Sequence, residues 1–292
     1  MADDPRYKTA GAFRQSLEER LNQISKNQGI DLTRLRRRVA FERLLARLFT
    51  DTKPRCILKG GYAIELRFQN LARATRDIDL SIPDPGSEIP EGRNQSQAIR
   101  DWLQGELAKD LSDWFAFFLG EQTSDLRAAP LGGVRFRVEA RLDNRTFARF
   151  TLDAGIGDAV ITEPEWITGH ELLSFAGISP ARIAVLPLEQ QFAEKIHAYT
   201  LPRDRINSRT RDLIDLVLMI DQGLLHVEQV IPALRATFER RATHSLPHKL
   251  EPPPESWREP YSALAADYNI RANTIETAYE HISAYWNQLG NL

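Results

Sequence analysis

Leu58-Lys59-Gly60-Gly61-Tyr62-Ala63, followed by Thr75-Arg76-Asp77-Ile78-Asp79-Leu80-Ser81-Ile82, is the stretch on which the reading of this chain turns. Arg55-Cys56-Ile57-Leu58 is a short apolar run that predicts a strand, and Ala63 to Phe68 has helical character. The two glycines therefore fall at a strand-to-helix turn. There, glycine lets backbone N–H groups approach phosphate oxygens, and the helix N-terminus adds partial positive charge. Asp77 to Ile82 alternates polar and apolar, which predicts a strand with one polar face. Aspartates at i and i+2 of a strand project from the same face, near enough to share metal ions. Carboxylate and phosphate oxygens suit Mg²⁺ at ~2.0–2.1 Å, and two such ions can clamp an in-line phosphoryl transfer. An i, i+2 acid pair alone decides nothing, because about five arise by chance at this acid content. Glu163 and Glu165, in a Pro-containing loop, read as one such accident. Asp77 and Asp79 are distinguished by the Gly-Gly turn before them and the polar strand face beneath them.

Upstream, Tyr7 to Asn27 predicts a helix, and Asp31 is a suitable N-cap for a second. In that second helix Leu35, Val39, Leu44, Leu45 and Leu48 recur at helical spacing, which leaves Arg36, Arg43 and Arg47 on an outward stripe that could meet RNA phosphates but is expected to be a solvated helix face. Downstream, Pro83 to Gln97 reads as a loop and Gln97 to Leu119 returns to helical spacing. Val134 to Leu142 and Thr146 to Asp153 predict a hairpin whose pattern fixes its register. Phe136, Val138 and Ala140 must share a face with Ala148, Phe150 and Leu152. That parity requires an odd loop, Asp143-Asn144-Arg145, and it pairs Glu139 with Arg149 and sets Asp153 near Arg135.

Arg182 to Leu186 predicts a last strand, closed by Pro187. Helices follow at Leu188 to Tyr199 and Thr210 to Ile220, then a loop at Glu251 to Glu255 and a final helix at Ile275 to Gln288. The expected organisation is an α/β domain over 1–187 and a helical domain over 188–292.

Composition excludes several classes. The 292 residues carry 38 Lys+Arg against 40 Asp+Glu, 42% hydrophobic residues and a single cysteine, Cys56. This is a globular balance; one cysteine forms no intramolecular disulfide and no Cys-rich zinc site. No run approaches the ~18–20 apolar residues of a membrane helix. The opening Met-Ala-Asp-Asp-Pro lacks the basic and apolar regions of a secretory leader, so a cytoplasmic location is expected. There are seven lysines and therefore 31 arginines. Arginine suits phosphate and base contacts, but a GC-rich genome produces the same bias, so composition assigns no partner.

Other motifs are missing or broken. No Gly-rich loop ends in Gly-Lys-Ser/Thr, and Gly155-Ile156-Gly157 meets Val160 where a dinucleotide fingerprint needs glycine. His244 and His248 have zinc-like spacing but enclose Pro247, and no Gly-x-Ser-x-Gly elbow occurs.

Leu58 to Ala63 with Thr75 to Leu80 resembles the first motif of the AbiEii/AbiGii toxin family, within the DNA polymerase β-like nucleotidyltransferase superfamily that includes the MenA-type toxins. Glu189-Gln190-Gln191-Phe192-Ala193-Glu194-Lys195-Ile196-His197-Ala198 resembles the family's lysine helix. Arg211-Asp212-Leu213-Ile214-Asp215-Leu216 resembles its closing Arg/Lys-Asp-x-x-Asp helix. The resemblance runs in order from Leu58 to about Met219. It implies an α+β fold, a polymerase β-like mixed sheet with flanking helices followed by a helical C-terminal domain. It also implies an NTP-dependent transfer of NMP that releases pyrophosphate.

By that resemblance Asp77, Asp79 and Asp153 hold Mg²⁺, for which Mn²⁺ can substitute, and Asp153 is a metal ligand or the base. Lys59, Gly60, Gly61, Tyr62, Lys195 and Arg211 would meet the nucleotide, and Asp215 joins the catalytic set. Read by themselves, Asp153 could be a strand-end cap, and Asp215 on a nearly all-apolar helix needs a buried partner, for which Arg211 one turn earlier is the candidate. Many polymerase β-like transferases have Ser after the two glycines; Tyr62 stands there instead, which puts the hydroxyl contact to phosphate in question. The implied acceptor is tRNA and the implied effect a block on translation, with a cognate antitoxin as partner. The alternatives are a protein or small-molecule acceptor, or a non-catalytic nucleotide- or RNA-binding regulator. Carboxylates kept close without use would repel at a cost, which speaks against the regulator.

Overall fold

The computed structural model describes residues 7–83, 94–126, 129–202, 209–268 and 270–290. Most of the loop expected over 83–97 and the N-terminal pentapeptide lie outside them. In chain order the elements are α1 (Ala10–Gln28), α2 (Leu32–Leu48), β1 (Ile57–Lys59), α3 (Gly60–Phe68), β2 (Asp77–Ile82), α4 (Gln95–Leu107) and β3 (Phe115–Asp125). There follow β4 (Gly133–Leu142), β5 (Arg145–Ile156), β6 (Glu165–Thr168), β7 (Arg182–Val185), α5 (Leu188–Thr200), α6 (Thr210–Asp221), α7 (Val227–Arg241), α8 (Arg258–Asp267) and α9 (Ile275–Gln288).

The chain divides into two compact units. The first takes in Met1–Leu58, Ala74–Gly157 and Trp166–Val185, and the second Lys59–Arg73, Asp158–Glu165 and Leu186–Leu292. The first unit is built on a seven-stranded mixed sheet in the order β3-β4-β5-β2-β1-β7-β6. β1 pairs with β7 and β2 with β5 in parallel, while β3, β4 and β5 run antiparallel. The second unit is helical around a core that includes Phe192, Leu213, Ile214, Leu216, Val217, Leu234, Tyr261, Ile282 and Trp286.

The expected N-cap is in place: the Asp31 carboxylate accepts from the Arg34 amide at 2.8 Å. The hairpin register is the expected one, with Glu139 opposite Arg149 and Arg135 opposite Asp153. The turn that achieves it differs. Asp143 and Asn144, at φ 54° and 55°, make a two-residue turn with both central residues left-handed. Parity is restored by a bulge at Phe147, between the pairs Ala140–Ala148 and Arg141–Thr146.

Three expectations are corrected. Helical spacing over 97–119 ends at Leu107, and Phe115 begins an edge strand whose Phe115, Phe117 and Leu119 are buried while Phe118 faces out. Glu165 opens strand β6 rather than lying in a loop, and it pairs with Arg67. Arg43 and Arg47 are not on a solvated stripe. Both are buried and converge on the fully buried Asp113, Arg43 Nε at 2.6 Å and Arg47 Nη2 at 2.7 Å. A buried carboxylate needs such partners, and a helix period cannot show an acid that lies 66 residues away. Arg36 alone of the three stays partly exposed, paired with Glu18 at 2.7 Å.

Candidate active site

In the first unit the β2–β5 register sets Asp79 directly beside Asp153 and Asp77 beside Thr151. Adjacent strands lie ~4.7–4.9 Å apart, and residues two apart share a face, so all three carboxylates stand on one side of the sheet. Ile78 and Leu80 fill the opposite face and are fully buried. The alternation that made Asp77 to Ile82 a strand thus also aims its acids.

Arg135 on β4 reaches across from the position opposite Asp153. Its Nε and Nη2 each donate to an Asp153 oxygen at 2.6 Å, a bidentate fork. The hydrogen bonds to Asp153, opposed by partial burial and reinforced by the charges of Asp153, Asp77 and Asp79, raise the Arg135 pKa further above its ordinary value. The Thr151 hydroxyl donates to Asp77 Oδ1. Thr151 was missed by motif reasoning, although its place two residues before Asp153 on the same strand face was a usable signal.

Arg135 is, among the described residues, a guanidinium that feels the charge of all three acids. Among the described residues no three Asp, Glu, His or Cys side chains are grouped so as to hold a metal ion by themselves. Two carboxylates on one strand face are a donor set that a hard divalent cation takes together with substrate phosphates and waters, and Asp77 and Asp79 meet that description.

The remaining candidates lie in the second unit. Gly60 has φ 68°, a left-handed conformation that glycine adopts freely, and it turns the chain from β1 into α3. Gly61 is buried, and Tyr62 is fully buried, so its hydroxyl does not face solvent. The Lys59 ammonium donates to Asp158 and to both Glu194 oxygens at 3.2 Å. Arg241 closes the group, 2.9 Å from Asp158 and 3.4 Å from Glu194. Burial opposes charge on Lys59, but Glu194 and Asp158 outweigh it and raise its pKa.

Lys195 on α5 lies between two α6 carboxylates, 2.5 Å from Asp212 and 2.8 Å from Asp215. Burial again disfavours the ammonium, and Asp212 and Asp215 more than compensate, raising its pKa. Asp215 is fully buried, as its apolar helix required, but its partner is not Arg211, which is exposed. Arg73 forks it instead, Nε and Nη2 each at 2.9 Å. Arg73 and Asp215 are 142 residues apart, so no local pattern could pair them. Asp212 also accepts from Arg209 at 3.1 Å.

A family model described as "Nucleotidyl transferase AbiEii toxin, Type IV TA system" matches residues 43–286. The chain belongs to the AbiEii family. It is a nucleotidyltransferase of a type IV toxin–antitoxin family. AbiEii membership implies an NTP substrate, a divalent metal and an antitoxin partner. The fold is similar to that of MenT4, a nucleotidyltransferase toxin from Mycobacterium tuberculosis H37Rv, at 14% identity and TM-score 0.59, covering 98% of this chain and 94% of that one. A solution structure of the antibiotic-resistance factor ANT(2'')-Ia matches at 16% identity and TM-score 0.37, covering 70% of this chain and 93% of that one. No curated protein matches in sequence. Among the described residues, no helix is long and apolar enough to cross a membrane.

Proposed function

We propose that this AbiEii protein is a Mg²⁺-dependent toxin that transfers NMP from an NTP to the 3′ end of tRNA and so blocks translation in the cytoplasm. The observation that carries the reading is the β2–β5 register, which sets Asp77, Asp79 and Asp153 on one face with Arg135 across Asp153. Mg²⁺ held by Asp77 and Asp79 would supply charge neutralisation at the triphosphate. The 3′-hydroxyl oxygen of the acceptor bonds to the α-phosphorus, the bond from that phosphorus to the bridging oxygen breaks, and pyrophosphate leaves. Asp153 takes the hydroxyl proton. Arg135 orients Asp153 through one set of lone pairs, and a carboxylate has about four, so acceptor capacity remains. Thr151 fixes the rotamer of Asp77.

For the second unit we propose nucleotide handling by Lys59, Gly60, Gly61, Lys195 and Arg211, with Asp215 as the acid that positions Lys195; Tyr62, whose side chain is fully buried, supports the turn from within and makes no nucleotide contact. Support comes from the order of the three family motifs along the chain and from the 2.8 Å Lys195–Asp215 contact.

The test is label transfer. Purified protein is mixed with Mg²⁺, total tRNA and each α-labelled NTP in turn, with Asp79→Ala as control. Label on tRNA from the wild type alone is the expected result. Label on protein or on nothing, with NTP binding still measurable, would overturn the tRNA assignment while leaving the carboxylate site.

A further inference from the structure

Beside Asp77 the first unit carries a cavity of about 720 Å³ whose walls include Arg76, Arg137, Arg149 and Phe118. It arises because β3, β4 and β5 turn their alternate residues outward. Phe117, Phe136, Val138, Phe150 and Leu152 fill the core side, and the positions between them face solvent. An outward face of an antiparallel sheet is ordinarily mixed in charge. This one is arginine-rich beside an acidic cluster.

Arg76, Arg137 and Arg149 are exposed. Among the described residues Arg76 and Arg137 have neither a hydrogen-bond nor an ion-pair partner. Arg149 has only long contacts, 3.5 Å to Glu139 and 3.4 Å to Thr146. Glu139 is shared among Thr146 at 2.6 Å, Arg141 at 3.2 Å and Arg149 at 3.5 Å, so one acid is divided between two of the cations on this face. Phe118 is 46% exposed on the edge strand, and the Arg141 guanidinium lies 4.8 Å from its ring centre. Free guanidiniums recognise phosphates by planar forks, and an exposed aromatic ring is a stacking platform for an unpaired base.

We propose that this face seats the single-stranded 3′ end of the acceptor RNA, with Arg76, Arg137 and Arg149 on its phosphates and a base stacked on Phe118. The inference rests on the transfer to RNA proposed above and deepens it, since it assigns the acceptor a place and its residues. Among the described residues lining this cavity Phe118 is the exposed large apolar side chain, and a single ring amid arginines suits a polyanion with unpaired bases. A strand lying here runs toward Asp77, which lines the same cavity, and so brings its terminal hydroxyl to the carboxylate face.

The experiment measures binding of the full-length protein to total tRNA, and to a 12-nucleotide single-stranded RNA with a free 3′-hydroxyl, across a salt series. Arg137→Ala and Arg149→Ala should each weaken both RNAs by about tenfold and reduce the salt slope by about 0.7–1. Arg137→Lys should keep the slope, because it keeps the charge. Phe118→Ala should weaken binding by about tenfold with the slope unchanged, the signature of lost stacking. NTP affinity, measured by calorimetry, should be the same in all four. Unchanged RNA affinity and slope in Arg137→Ala and Phe118→Ala, with the wild type still labelling tRNA, would overturn this face as the acceptor seat and leave the transfer reading intact. A wild type that labels a protein and binds neither RNA would remove both.

Discussion

Two of the charged clusters of this protein are built from similar residue types and differ in how open they are. On the sheet of the first unit, Asp77, Asp79 and Asp153 share a face, Arg135 forks Asp153, and Asp77 and Asp79 are only partly buried. Between α5 and α6 of the second unit, Asp212 and Asp215 face Lys195, Arg73 and Arg209, and both acids are buried. The first cluster has access to solvent at Asp77 and Asp79, so a ligand can reach it. The second is closed upon itself, each buried acid held by cations from more than one element. A sealed and paired acid holds a fold together, and breaking it exposes an uncompensated charge in a low dielectric. An open and under-compensated acid contributes little to folding, and removing it relieves repulsion.

Mutation of one acid in each cluster should separate these roles. Asp79→Ala is expected to lower label transfer by at least ~10³-fold, in the range of losing a principal electrostatic group, with a melting temperature equal to or above that of the wild type. A large fall in melting temperature would make Asp79 structural and erase the contrast. Asp215→Ala should do the reverse first: it strands Arg73 and Lys195 and should cost roughly 3–5 kcal/mol of stability, read by urea unfolding. Stability within 1 kcal/mol of wild type would show that the second cluster is not sealed. Lys195→Ala falls between them. It should weaken NTP binding and also destabilise, because Asp212 and Asp215 lose their shared ammonium; unchanged triphosphate affinity with the destabilisation retained would confine Lys195 to structure.

The open cluster was legible in the sequence and the sealed one was not, for a physical reason. Asp77, Asp79 and Asp153 sit on strands whose two-residue alternation shows which side chains share a face, and the hairpin pattern gave Arg135 its place opposite Asp153. The partners of buried acids are set by tertiary packing. Arg73 with Asp215, and Arg43 and Arg47 with Asp113, meet across more than 60 residues, so a helix wheel offered Arg211 in one case and a solvated stripe in the other. The edge strand β3 was hidden for a related reason. Phe115-Ala116-Phe117-Phe118-Leu119 is apolar almost throughout, and only pairing with β4 reveals that Phe118 turns outward. The α6 acid was half legible: its burial followed from the apolar residues around it, its partner did not.

Glu42 tests whether closure, and not membership of one unit or the other, is what matters, because it is a sealed acid within the first unit. Burial pushes its carboxyl up to about 8, against the opposing pull of the His170 amide, Arg43 and Arg38. The amide donates to Oε1 at 2.6 Å, and the side chain leaves no room at Gly169, where a Cβ would come within 2.7 Å of Oε2. A carboxyl whose pKa is raised on folding binds its proton more tightly in the native state, so stability falls as pH rises. The contribution is complete below the unfolded value of about 4.5 and is lost progressively up to about 8. By pH 8 the loss amounts to roughly 4 kcal/mol. Urea unfolding between pH 5 and 8 should show this slope in the wild type and a flatter one in Glu42→Gln. Equal slopes in wild type and Glu42→Gln would mean that Glu42 stays ionised in place, and the division between sealed and open acids would then have to be drawn on pairing alone.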